Sequence, residues 1–460
     1  MTVLGIVTVV LIAAVWVVAR RWTQLAVGAT VAFPQTAAIV VDGNGFPLFY
    51  LAIIELAVLC APQLLMAAAR RRRDGPPSGR FASDAIAVAL VVWAAVITIA
   101  GPRIFAGMRV FDPALGVDNQ VGNLSVLEPS LGNIAQLGYL TLGVLFLLLA
   151  GRLFPVDTRL LGSALWVSLV LGAVRMVAEP VWPHQMLQNM PGYAYATPER
   201  LSGTFYEPSV LGLYLVAAAS YFGARLLIRP GARAKVVALI ALVLVGIEFV
   251  ANGSGTALLG LVIVAAAAAA VLLVRQLRSP QFGVRPWAII TSTLVLAAGL
   301  TQLPALYELT IGSAERKASS FSYLARGLAN QRSWQIFQET FGLGAGLGSH
   351  RPSSLFFLVL SCLGFVGTVL LIALVIAALR AAARTPLAAP AGWALLGILV
   401  SGVIAVPDLS MPVIWIGLAA SLAAGLPSRV PAPGSASPDP ELLAGTPGQE
   451  PALQRAEIVQ

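Results

Sequence analysis

The 460-residue chain is 58% hydrophobic and only 11% charged, with a mean hydropathy of +0.86. That composition excludes a soluble globular domain, whose surface would be one continuous apolar patch. Its net charge of +9 falls in short basic clusters between apolar runs, the pattern of cytoplasmic loops under the positive-inside rule and not of a nucleic-acid-binding face.

The first element, MTVLGIVTVVLIAAVWVVAR, carries its charge after the apolar run. It is expected as a spanning helix and not as a cleaved signal. Runs long enough to cross about 30 Å of hydrocarbon, roughly 20 residues each, follow at 2–19, 22–41, 46–69, 81–101, 133–151, 160–178, 207–228, 236–251, 256–274, 287–306, 354–379, 388–406 and 411–426. The predicted fold is therefore an all-α polytopic bundle of about 12–13 spans, covering residues 1–426. Pro34 and Pro412 make 22–41 and 411–426 the two segments expected to be kinked or re-entrant. Cys60 and Cys362 lie inside apolar runs, so neither a disulfide framework nor a thiolate metal site is expected.

Lys and Arg fill alternate loops: Arg20–Arg21, Arg70–Arg73 with Arg80, Arg152 and Arg159, Arg225 to Lys235, Arg275 to Arg285, and Arg380 with Arg384. These loops are assigned to the cytoplasm. The remaining loops, 102–132, 179–206, 252–255, 307–353 and 407–410, then face the other side, with the N-terminus external and the C-terminus internal. Residues 427–460 lose apolar periodicity and fill with Pro, Gly, Ser and Glu, as in a disordered cytoplasmic tail. The alanine run at 264–271 carries no chemistry, since small residues let helices approach closely in lipid.

Candidate chemistry gathers in the external loops. In PERLSGTFYEPSVLGLYL, Glu207 precedes Pro208 at a helix start with Arg200 nearby. A carboxylate there suits a helix N-terminus, and it could also take a proton from a sugar hydroxyl. In QRSWQIFQETF, helical pitch puts Arg332, Gln335 and Glu339 on one face and Trp334, Phe337 and Phe341 on another. This reads as an amphipathic helix on the outer leaflet. Topology rules disfavour external arginines, whereas a diphosphate asks for guanidinium forks. GLGAGLGSHRPSS places Gly342, Gly344, Gly346 and Gly348 before His350 and Arg351. Such glycines let backbone N–H groups approach an anion, and a histidine at this position has the range for proton transfer. Within the apolar runs, Glu55, Arg175, Glu179 and Glu248 each call for a partner or a cavity; Arg175 and Glu179, four apart, are expected to pair. No metal motif and no dinucleotide fingerprint is present in the sequence, so neither metal nor cofactor is expected.

Taken together, GTFYEPSVLGLYL and ARGLANQRSWQIFQETFGLGAGLGSHRPSSLFFLVLSCLGFVG resemble the bacterial O-antigen polymerase and ligase superfamily, especially the exopolysaccharide repeat-unit polymerases. The resemblance rests on Gly203–Pro208, Arg326–Arg332, Gly344–Gly348 and Gly364–Gly367. It implies a C-class glycosyltransferase, metal-independent, in the bacterial inner membrane with its active site on the periplasmic side. The implied substrate is an undecaprenyl-diphosphate-linked glycan, with the lipid bilayer and a chain-length regulator as partners. Ligases carry a His-rich stretch where this chain has His350 alone, which weighs for polymerisation over ligation. On this reading Arg200, Arg326, Arg332 and Arg351 hold the diphosphate, with Arg332, Arg351 and Arg200 stabilising it as it leaves, and Glu207 or His350 takes the acceptor proton. A ligase with another acceptor, or a lipid-linked glycan flippase working through intramembrane charge, are the alternatives.

Overall fold

The structure, a computed structural model, describes residues 1–19, 22–41, 44–74, 81–113, 115, 117, 120–153, 159–187, 189–190, 200–228, 231–278 and 321–423. The expected span at 287–306 and the tail 427–460 lie outside these residues. The chain divides into Met1–Leu426 and Pro427–Gln460.

The helices are α1 (Val3–Ala19), α2 (Thr23–Thr30), α3 (Leu48–Asp74), α4 (Phe81–Ile104), α5 (Leu131–Leu153), α6 (Arg159–Ala178), α7 (His184–Leu187), α8 (Pro208–Ile228), α9 (Ala232–Asn252), α10 (Gly255–Leu277), α11 (Phe321–Glu339), α12 (Leu355–Ala383), α13 (Ala389–Ala405) and α14 (Pro412–Ala423). Among the described residues, 7 are long and apolar enough to cross a membrane, and four shorter apolar helices accompany them. The protein is a multi-pass helical membrane protein. Its helices show the polarity such a bundle needs. On α9, Val236, Ile240, Val243, Ile247 and Val250 are exposed, while Ala238, Ala241, Val245, Glu248 and Asn252 are buried. Large apolar side chains thus face outward, where only lipid accommodates them, and small or polar ones face inward.

Segment 22–41 does not form one span. It breaks into α2, two turns and a hairpin of β1 (Ala37–Val41) with β2 (Asn44–Pro47), in the register Ile39↔Phe46 and Val41↔Asn44. Pro34 lacks the N–H a helix needs, and the β-branched run that follows suits a strand. The hairpin edge is capped by the N-terminus: the Thr2 amide donates to the Ala38 carbonyl at 2.8 Å. Segment 411–426, the other one set apart by its proline, does not form a full span either. Its helix α14 has 12 residues, about 18 Å at 1.5 Å per residue, too short to cross alone. Every residue of α14 is buried, with Trp415 fully enclosed. A helix apolar all round is a core helix.

The bundle centre is α8 against α13. A Cβ on Gly397 would stand 2.9 Å from Ser220 Oγ, and one on Gly260 of α10 would stand 2.9 Å from Ser401 Oγ, so small residues set the close approach.

Helix α12 bends at Gly364 (φ 65°, ψ −162°). The bend frees three carbonyls, and the chain before α12 supplies donors for two of them. Ala345 N–H bonds to Ser361 O at 2.8 Å and Gly346 N–H to Cys362 O at 2.9 Å; the Trp93 indole reaches Leu363 O at 2.7 Å. In return Phe365 N–H donates to Gly342 O at 2.8 Å. Irregular backbone inside a membrane protein survives only when buried and satisfied in this way. A Cβ at Gly364 would overlap the Gly342 and Leu343 carbonyl oxygens, on top of about 1–3 kcal/mol for the left-handed conformation. Gly364→Ala is therefore expected to abolish the monodisperse protein in detergent size-exclusion chromatography, while Gly327→Ala, with open space around its Cβ, leaves it intact.

Candidate active site

The turn Leu201–Tyr206 is the anchor of the site, and all six residues are buried. Arg175 on α6 reaches into it, donating to Ser202 Oγ and the Gly203 carbonyl at 2.7 Å each, while its other face pairs with Glu179 at 2.9 Å. The expected i,i+4 pair is thus present and also serves to hold this turn. From the opposite side the Thr204 hydroxyl donates to Ala32 O, and Gln35 Oε1 accepts from the Tyr206 amide. Asn252 closes the clamp, donating to Leu201 O at 2.7 Å and Pro208 O at 2.8 Å. The turn delivers Glu207 to the first turn of α8, where its Oε2 accepts from Ser209 Oγ at 3.0 Å.

Glu207 opens into a cavity of about 120 Å³ whose lining includes Gln35, Gln136, Gly348, His350, Arg351 and Asp408. Segments grouped outside the membrane by their charge pattern, 102–132, 307–353 and 407–410, here meet around one space. Asp408 was not singled out from the sequence. Its Oδ1 accepts from the Ser410 amide at 2.7 Å and hydroxyl at 2.6 Å. Burial raises its pKa above the ordinary carboxylate range, opposed by those two donors and by the charge of Arg351. Arg351 is held by Nη1–H to Pro113 O at 3.1 Å and by its own amide to Phe111 O at 3.0 Å.

The other candidates divide. His350 lines the cavity but does not fit the role of a base. Only 1% of it is exposed, its Nδ1 accepts from the Phe111 amide at 3.2 Å, and its Nε2 lies 2.8 Å from Ser333 Oγ. Because Ser333 Oγ donates to Ala329 O at 2.7 Å, Nε2 carries the ring proton. Burial pushes the pKa down to about 3, with Arg332 adding to the effect. The expected titration near neutrality is corrected: both nitrogens are occupied, and the ring is a neutral strut between loops.

The glycines correct likewise. Gly344, Gly346 and Gly348 all have positive φ, yet a Cβ on each would strike protein backbone: Cys362 O at 2.6 Å, Thr98 Cα at 2.9 Å and Gly132 O at 2.6 Å. Gly344 N–H bonds to Thr340 Oγ1 at 3.1 Å, and Leu347 N–H to Thr98 Oγ1 at 3.1 Å. The amides of Gly344, Ala345, Gly346 and Leu347 are thus taken by protein acceptors on α4, α12 and Thr340, while Gly348 reaches the cavity wall.

Arg332 donates through Nε to Arg109 O at 2.8 Å and through Nη1 and Nη2 to Glu339 at 2.7 and 2.9 Å. Its fork is occupied by a carboxylate of its own helix, so a substrate diphosphate would have to displace that pair. Arg332→Ala and Glu339→Gln are therefore expected to lower the unfolding midpoint in detergent alike, by roughly 0.5–1 kcal/mol for a partly exposed pair. If Arg332 instead held substrate, Glu339→Gln would leave product formation unchanged while Arg332→Ala removed it.

Arg200 and Arg326 are brought together. Arg200 donates to Asn252 O at 3.0 Å and Gly253 O at 2.9 Å, and burial, aided by the charge of Arg326, lowers its pKa. None of the described residues accepts a hydrogen bond from the Arg326 guanidinium. One turn further along α11, the Asn330 side chain accepts from the Ser353 amide through Oδ1 at 3.1 Å, two residues past Arg351. Two guanidiniums whose charges act on each other, one of them with no acceptor among the described residues, have the chemistry to take an anion. Compared with known proteins, the chain matches no protein-family profile and no curated sequence.

Proposed function

We infer that the protein is a membrane glycosyltransferase that polymerises undecaprenyl-diphosphate-linked oligosaccharide repeat units at the periplasmic face of a bacterial inner membrane. The observation that carries this reading is the cavity in which Glu207, Asp408 and Arg351 meet, at the end of the bundle where the long loops converge. A carboxylate pair beside a guanidinium suits transfer of a glycosyl group between oxygens. The acceptor hydroxyl attacks the anomeric carbon, the bond from that carbon to the diphosphate oxygen breaks with its electron pair leaving on the diphosphate, and a carboxylate takes the hydroxyl proton. Charge grows on the leaving group, so Arg351 in the cavity would stabilise it electrostatically, and the same role is assigned to Arg200 and to Arg326 of α11, whose charges act on each other. Glu207 and Asp408 are the two carboxylates placed to take that proton.

Purified protein in vesicles, given lipid-linked repeat units, is expected to yield a ladder of glycans on lipid. Transfer of the glycan to a different acceptor would make the protein a ligase. Movement of the lipid-linked unit across the vesicle with no new glycosidic bond would make it a flippase, and overturn the reading.

A further inference from the structure

Away from the cavity, the seam between α6 and α9 holds polar atoms with no partner among the described residues. Glu248 is fully buried and neither carboxyl oxygen has a hydrogen-bond donor there; Asn252 Oδ1 and Ser168 Oγ are likewise orphaned. The carboxyl lies over Gly172 of α6, where a Cβ would overlap it, so the missing side chain makes the niche. Glu248 and Asn252 stand four apart on α9, within side-chain reach of each other.

The charged groups on the packed elements are directed elsewhere. Arg175 of α6 is bonded to Glu179, Ser202 and Gly203, and Arg200 to the carbonyls of Asn252 and Gly253. On α8, Tyr214 donates to Val31 O, while Tyr221 and Arg225 lie beside each other. Arg233 and Lys235 sit in the first turn of α9 and Glu248 in its last turns. An ionised carboxylate without partner in this setting would cost several kcal/mol, and two buried acceptors facing no donor ask for something positive between them.

We propose that Glu248 and Asn252 form a proton-binding site within the membrane: Glu248 carries a proton at neutral pH and donates it to Asn252 Oδ1. The shared proton fixes the Asn252 amide, whose N–H groups hold Leu201 O and Pro208 O and so the turn that ends at Glu207. The site does not depend on which reaction the cavity performs.

The test is infrared difference spectroscopy on the full-length protein in lipid nanodiscs, wild type minus Glu248→Gln, at pH 7 in choline chloride. Expected is one protonated-carboxyl C=O band, present in wild type, lost in Glu248→Gln, and shifted to higher frequency in Asn252→Ala as the acceptor is removed. Glu248→Gln, which keeps a donor at this position, is expected to retain the wild-type unfolding midpoint, so a loss of the band is not a loss of fold. Absence of the band in wild type overturns the proposal. So does a band unmoved in Asn252→Ala, since the proton is then not shared. Disappearance of the band when sodium replaces choline at the same ionic strength overturns it as well, making the occupant a metal cation.

Discussion

Turnover of lipid-linked repeat units by the Glu207→Gln protein is expected to fall by about 100- to 10,000-fold, the range of general-base assistance, with substrate binding retained. The side chain is exposed at the start of α8 and opens into the cavity, with Ser209 Oγ donating to it. Its place at the N-terminal end of α8 also sets it against the positive end of the helix dipole. The amide is nearly isosteric and keeps an oxygen for the Ser209 hydroxyl, which limits the change to proton acceptance. Single-turnover rates and a separate binding measurement on purified substrate check this. Asp408→Asn is the paired control: a loss confined to Asp408→Asn moves the proton to Asp408, and a fully active Glu207→Gln protein leaves Glu207 as a helix cap. His350→Ala is expected to alter stability and leave the pH profile of turnover in place, because the ring stays neutral across the working range.

Arg326→Ala is expected to lower turnover by about 100- to 1,000-fold, the usual consequence of removing one preorganised donor from developing negative charge. The argument is one of availability. Arg332 is occupied by Glu339, Arg351 partly by Pro113, and Arg200 by two carbonyls, whereas no described residue bonds the Arg326 guanidinium. Arg326→Lys should recover only part of the loss, since an ammonium supplies a point charge in place of a two-donor fork. Competition by inorganic diphosphate, weaker against the variant than against wild type, gives an independent measure. Equal turnover of wild type and Arg326→Ala would reduce this arginine to a surface charge.

Much of the architecture was legible in the chain because lipid imposes a length and a polarity that composition alone reveals. The helices around 81–104, 131–153, 208–228 and 355–383 fall where hydropathy placed them, and three of the loop segments, 102–132, 307–353 and 407–410, each contribute to the cavity wall. What escaped was whatever depended on the partners of a residue. A short apolar run such as that of α14 reads the same whether it faces lipid or protein. His350, Gly344 and Gly346 carry chemistry-bearing names, yet their ring nitrogens and amides are taken by Phe111, Ser333, Thr340 and Cys362, none of which is adjacent in sequence. Asp408 was missed for the converse reason. VPDLSMP reads as a brief link with an Asp before a helix start, and only the fold sets it across a cavity from Glu207.

The bend at Gly364 bears on biogenesis. As the nascent chain leaves the insertion machinery, residues 355–379 form one run with no charged residue, and a straight helix satisfies its own backbone in lipid without help. The bent form needs donors from Ala345 and Gly346, which precede it, and from Trp93 on α4, a helix delivered long before. Lateral insertion and tertiary closure are therefore separate events for this segment: α12 partitions as a rod, and bends when the glycine-rich stretch slots between it and α4. The cavity takes shape at that second step, so a chain that has acquired its full transmembrane topology is still without the site.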